Sequence, residues 1–186
     1  MTGAELVHWL AARMAENRAA APKSEEAAMF DPPWTTLHAG TFHGGTAGNI
    51  TALKASFTTD IRVTPPDDAE TWARAYVEEC RRLEAEIRKV RPEASIDPVP
   101  RATVPPCRQE KDGAAEALAR ALTGDNTPRA VAYITEAGQF QDGGYSAVVC
   151  GPGDIGVAHQ PPHERLALVE LADLQILVRL VARLAS

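Results

Sequence analysis

Residues 53–87 constrain the fold more than any other stretch, because they switch from one hydrophobic period to another across a pair of prolines. Before the switch the chain alternates. Leu53, Ala55, Phe57, Ile61 and Val63 fall on one side, and Lys54, Ser56, Thr58, Asp60 and Arg62 on the other. A period of two with one apolar side is the pattern of a half-buried strand in an antiparallel sheet. Pro65–Pro66 ends that strand, since neither residue can donate to a ladder. Asp67-x-x-Glu70 then opens a helix whose apolar stripe is Trp72, Tyr76, Cys80, Leu83 and Ile87. On its outer side Glu78–Arg82 and Glu84–Arg88 are spaced as supporting i,i+4 pairs on a solvated face.

The flanking sequence extends this into a domain. Thr2-x-x-Glu5 is a capping box, and Leu6, Leu10 and Met14 follow at helical spacing, so a helix is expected over Gly3–Asn17. Arg18–Pro33 reads as loop. Trp34–Gly40 reads as a strand, with a glycine-rich turn at Gly44–Gly48 after it, and a further strand is expected around Ala94–Val99. Helix, strand, strand, helix, strand is a ferredoxin-like split βαβ pattern without its first strand. Val104–Pro105–Pro106 marks a boundary, giving domains at 1–104 and 105–186. Beyond it the expected order is a helix at Gly113–Leu122, a strand at Arg129–Ile134, a loop at Thr135–Phe140 and a strand at Tyr145–Cys150. A loop and a terminal helix carrying Leu168, Leu171, Leu174, Leu177, Val178, Val181 and Leu184 complete it. That alternation implies part of a parallel or mixed α/β sheet, with a last helix wanting burial on two sides. The fold class expected is therefore α/β (α+β) in two parts.

At 186 residues the chain has room for one large or two small cores. A net charge of −6 argues against nucleic acid and against an anionic membrane surface. No basic-then-apolar leader opens the sequence, and no apolar run reaches the roughly 18 residues of a membrane span. Cys80, Cys107 and Cys150 are an odd, widely spaced set without a C-x-x-C pair, which suggests reduced thiols and a cytoplasmic setting.

Four segments carry a resemblance. They are His43–Gly44–Gly45–Thr46–Ala47–Gly48–Asn49–Ile50, Asp60–Ile61–Arg62, Thr135–Glu136–Ala137–Gly138–Gln139–Phe140, and Cys150–Gly151–Pro152–Gly153 leading to His159. In this order they resemble the acetylornithine deacetylase, aminoacylase and succinyl-diaminopimelate desuccinylase family of dinuclear zinc amidohydrolases. The resemblance implies a lid and dimerisation domain followed by the C-terminal part of a catalytic domain. It also implies a homo-oligomer joined through the lid, and hydrolysis of an N-acylated amino acid by zinc-activated water. The first and third segments resemble acetylornithine deacetylase most, with N-acetylornithine, in arginine biosynthesis, as the implied substrate.

By that resemblance His159 is a zinc ligand, and Asn49 and Arg62 contact the substrate's carbonyl and carboxylate. Gly151 and Gly153 let the backbone approach the ligand, and Glu136 orients groups at the site. Each residue also has a plainer reading. Arg62 pairs with Asp60, its same-face neighbour; Asn49 is a turn residue; the two glycines end a strand. His163 and Glu164 follow His159 in a turn one residue longer than the family's. His8, His38 and His43 read as surface or turn residues. Cys150, Glu136 and His159 would also compose a nucleophile set, against which Cys150 reads as a buried small thiol. The family's other zinc ligands and its general-base glutamate stand in motifs that do not occur in these 186 residues. A catalytic zinc needs about three protein ligands, so the isolated chain is expected to be inactive, and a non-catalytic dimerisation module or enzyme fragment is the alternative.

Overall fold

A computed structural model describes residues 2–151, 153 and 175–184. The chain divides into two compact units. One runs to Arg101 and takes in Arg129–Ala132, and the other comprises Ala102–Pro128 and the chain from Tyr133 onward.

In the first unit α1 spans Thr2–Ala19 and buries Leu6 and Leu10, one turn apart on a single face. Strands β1 (Thr36–Gly44) and β2 (Ala55–Arg62) form a two-stranded antiparallel sheet, with Leu37 opposite Ile61 and Thr36 opposite Arg62. The register shifts between Ala39 and Thr41, so Gly40 is an extra residue on β1. That insertion matters because it reverses the parity of the strand. Leu37 is odd and Phe42 even, yet both lie on the inner face, where Phe42 stacks on its partner Phe57 at 5.6 Å. Strand β1 runs four residues past the expected Gly40, since the shifted ladder continues to Gly44–Ala55. The described fold is α+β: a helix, an antiparallel hairpin and a second helix packed on it.

Helix α2 spans Ala69–Arg88. Its cap is Asp68, whose carboxylate accepts the Thr71 N–H at 2.8 Å; the neighbouring Asp67 is used otherwise. The expected stripe faces inward. Cys80 and Leu83 join Leu6 in a core to which Phe57, Tyr76 and Ile96 add partly buried surface. Trp9 on α1 meets Tyr76 on α2 at 6.2 Å between ring centroids. The outer face departs from expectation in one pair. Arg82 bonds Glu79, three residues back, and not Glu78. Glu84 is buried as a residue, with Arg81 and Arg88 on its carboxylate.

Ala94–Val99 forms no strand. Its carbonyls are taken by side chains: Arg88 Nε donates to Ala94 O and Arg81 Nη1 to Ile96 O, both at 2.8 Å. A strand needs a neighbour's ladder, and these carbonyls have guanidinium groups in its place.

In the second unit α3 spans Ala114–Thr123 and stops at Gly124, whose φ of 75° closes the last turn through a bond to Arg120 O. Helix α4 spans Ala137–Asp142, beginning within the Thr135–Phe140 segment expected to be loop and running two residues past it, and α5 spans Gln175–Leu184. Neither Arg129–Ile134 nor Tyr145–Cys150 is a strand. In the latter the main chain is already engaged. Tyr145 N bonds Phe140 O at 3.0 Å, and Ala147 N bonds the Glu110 carboxylate at 2.9 Å. On α5, Val178 and Val181 are exposed. No described helix is long and apolar enough to cross a membrane.

Candidate functional site

The outer face of the hairpin is the polar one. Strand β1 contributes Thr36, His38, Thr41 and His43, each paired across the ladder with Arg62, Asp60, Thr58 and Ser56 of β2. The two threonine hydroxyls lie 2.9 Å apart. Arg62 is the cation of this face. Its Nε donates to Asp60 Oδ2 at 2.8 Å, and its Nη1 approaches the Ala132 carbonyl at 3.4 Å. The plain reading of Arg62 as Asp60's partner is therefore realised, while half of the arginine side chain stays exposed.

Asn49 lies in the exposed connection between β1 and β2, where Ile50 N bonds Ala47 O. Arg62 stands at the other end of the ladder. The eight residues of β2 separate the two ends by roughly 24 Å at the usual rise per strand residue. The hairpin thus carries Asn49 and Arg62 at opposite ends.

Glu136 is exposed and immediately precedes α4. Its carbonyl receives Gln139 N and Phe140 N, and Thr135 Oγ1 accepts the Ala137 N–H at 3.1 Å. The Thr135–Phe140 segment is thus a short capped helix. Gly138 is its buried residue, and a methyl group there would overlap the Pro105 carbonyl oxygen and lie 2.6 Å from that of Pro106. Gly151 is exposed with open space around it, and Gly153 takes a φ of 91°, a left-handed conformation suited to glycine. Cys150 is exposed, which corrects its reading as a buried thiol. The buried cysteine is Cys80. His159, His163 and Glu164 lie outside the described residues.

Two organising carboxylates escaped the sequence reading. Asp67, read there as part of a helix start, accepts Lys23 Nζ at 2.8 Å, Thr35 Oγ1 at 2.6 Å and Trp72 Nε1 at 3.2 Å. Thr35 is fully buried; its hydroxyl also accepts Thr64 N, and its carbonyl accepts Asn17 Nδ2. Burial pushes the Asp67 carboxyl up, but the bonds from Lys23, Thr35 and Trp72, with the Lys23 charge, outweigh it and hold it below the ordinary range. Glu110 plays the same part in the second unit, receiving Ser146 Oγ, Ala147 N and Gln141 Nε2, which lower its pKa. Neither had a legible signal, because the partners are as far as 44 residues away in sequence.

No group of three or more His, Cys, Asp or Glu side chains among the described residues is placed to hold a metal ion. The described donors therefore do not fit a dinuclear zinc centre, and no reaction step is derived through one.

A family profile described as the peptidase dimerisation domain matches residues 4–88. That span covers α1 from its third residue, the hairpin and all of α2. The acetylornithine deacetylase of Myxococcus xanthus is 33% identical over 138 residues, which cover 70% of this chain and 33% of the relative. The chain spans about a third of the length of that relative.

Proposed function

We propose that the chain, which is similar to the acetylornithine deacetylase, aminoacylase and succinyl-diaminopimelate desuccinylase family of hydrolases, supplies the substrate-carboxylate contact and the self-association surface of an N-acyl amino acid amidohydrolase. Residues 1–104 are the lid and dimerisation domain, and residues 105–186 are a C-terminal segment of the catalytic domain. The substrate is N-acetylornithine, after the named activity of the matched relative, and the setting is cytoplasmic. The observation that carries the reading is Arg62: a half-exposed guanidinium on the polar face of the hairpin, inside the matched domain. A planar fork of donors is suited to a carboxylate.

Gly151 and Gly153 admit the ligand close to the main chain, whereas Asn49, at the other end of the hairpin from Arg62, is too far away to share one substrate molecule with it and keeps its turn reading. Glu136 orients neighbouring groups, and His159 is a zinc ligand. Hydrolysis requires a water of lowered pKa, hence a metal held by several side chains. The chain by itself accordingly associates with itself but does not hydrolyse substrate. Three measurements test this: mass in solution by light scattering, N-acetylornithine hydrolysis, and metal content before and after His159→Ala. A dimer without hydrolysis and with little zinc is expected. Chelator-sensitive hydrolysis by the isolated chain overturns its inactivity, and a monomer overturns the association. The alternative, a module without any substrate role, is favoured by the scattered donor set and predicts a dimer indifferent to N-acetylornithine.

A further inference from the structure

Arg62 is held by its inner nitrogen, and that bears on how it meets a ligand. Asp60 and Arg62 are two residues apart on β2, so both project from the same face of the hairpin. Asp60 Oδ2 takes Nε–H at 2.8 Å. The Ala132 carbonyl approaches Nη1 at 3.4 Å, a long and weak contact. Of the five N–H donors of a guanidinium, these use one on Nε and one on Nη1. Among the described residues nothing takes Nη2.

An arginine on a strand has four rotatable side-chain bonds and sweeps a wide volume when only its charge is used. Fixing Nε fixes the plane of the guanidinium, because Nε is the pivot on which the terminal nitrogens turn. The Nη2 donors and the remaining Nη1 donor then stand in one place before a ligand arrives, and less entropy is lost when it binds. His38 lies directly across the ladder from Asp60, and Thr36 across from Arg62, so the pair is flanked by polar residues on the neighbouring strand.

We propose that Asp60 is a positioning residue: it orients the Arg62 guanidinium so that its outer Nη edge is presented to the carboxylate of an N-acyl amino acid. This rests on the reading of Arg62 given above, and the experiment separates the two. The first readout needs no ligand. The Nε–H of Arg62, followed by side-chain NMR of arginine-labelled chain, exchanges slowly in the wild type, exchanges fast in Asp60→Ala, and recovers in part in Asp60→Asn, which keeps an acceptor but not the charge. Unchanged exchange in Asp60→Ala overturns the positioning role.

The second readout is a titration with N-acetyl-L-ornithine, with its carboxamide as the control lacking a carboxylate. Asp60→Ala weakens binding by about three- to fivefold, the scale of an exposed ion pair. Arg62→Ala weakens it by about tenfold or more, the scale of a lost charge-assisted hydrogen bond. Equal binding of acid and amide, or wild-type affinity in Arg62→Ala, overturns the carboxylate reading of Arg62. Loss in Arg62→Ala with none in Asp60→Ala leaves that reading intact and overturns the role of Asp60.

Discussion

The two units are stabilised in different ways. In the first, apolar side chains from four separate stretches are buried: Leu6 and Leu10 from α1, Ala27 from the following connection, Leu37 from β1, and Cys80 and Leu83 from α2, of which Leu6, Cys80 and Leu83 form one cluster. In the second, the buried residues among those described are Gly113 and Gly138, which have no side chain to bury. There order comes from polar contacts around Glu110. It receives Ser146, Ala147 and Gln141, while Gln141 is tied to both main-chain groups of Arg108. An apolar core stabilises by the area it removes from water; a solvated polar hub gains only the small net difference between protein and water hydrogen bonds. The same chain thus holds one unit with an apolar core and one in which, among the described residues, apolar side chains such as Ile134, Val148 and Val149 remain at the surface.

The sharpest way to break this comparison is to truncate an apolar residue in each unit. Leu83→Ala removes a core side chain with 3% exposure and is expected to cost about 2–5 kcal/mol, mostly transfer and cavity energy. Val149→Ala, at 42% exposure, is expected to fall within about 0.5 kcal/mol of wild type. Urea unfolding followed by circular dichroism measures both. Comparable losses would mean that Val149 is covered in solution, and that the second unit has a core after all.

Gly138→Ala should produce the next largest effect, confined to the second unit. The added methyl meets the carbonyls of Pro105 and Pro106, which are backbone and cannot rotate away as a flexible side chain would. A cost of about 1–3 kcal/mol is expected for such overpacking. Hydrogen exchange should then show faster opening of Ala137–Asp142 while α1 and α2 keep their protection.

How far the sequence revealed these differences depends on which force makes each element. Helix α2 was legible because its stripe is apolar at helical spacing and its core partners share that face. The hairpin was legible in β2, where alternation is strict, and less so in β1, where the inserted Gly40 breaks the parity that a period-two reading relies on. The strands expected at Ala94–Val99, Arg129–Ile134 and Tyr145–Cys150 did not form. Strand propensity describes how side chains fit a pleated surface, and among the described residues these segments have no neighbouring ladder to supply one. Among site residues, the Asp60–Arg62 pairing followed from two residues on one strand face, whereas the Asp67 and Glu110 hubs depend on partners that no local pattern brings together.

The Asp67 hub also makes the stability of the first unit depend on pH. Its carboxyl is held below its ordinary value of 3.8 in the folded state, so its stabilisation is complete above that value and is lost as the pH falls through the lower folded-state pKa. Asp67→Asn removes this dependence and leaves Lys23 without its carboxylate, at an expected cost of about 1–2 kcal/mol at neutral pH. Unfolding free energies at pH 7 and below pH 4 measure it. The mutant and wild type should converge at the acid end. A constant gap across the range would mean that Thr35 and Trp72, not the charge, account for the stabilisation.

The smallest effect expected is at the end of α3. Gly124 takes a φ of 75°, where a Cβ is strained, but open space surrounds it, so Gly124→Ala adds backbone strain without a clash. The expected cost is about 1 kcal/mol. The contrast with Gly138 is informative because both substitutions add one methyl to the same unit: at Gly124 the penalty is conformational, and at Gly138 it is steric. Replacing Gly124 with Asn, which tolerates the left-handed region better than Ala, should recover part of the loss. The corresponding Gly138→Asn should be worse than Gly138→Ala. If Asn and Ala were equivalent at position 124, the helix end would not be holding its left-handed turn in solution, and the bond from residue 124 to Arg120 O would open with it.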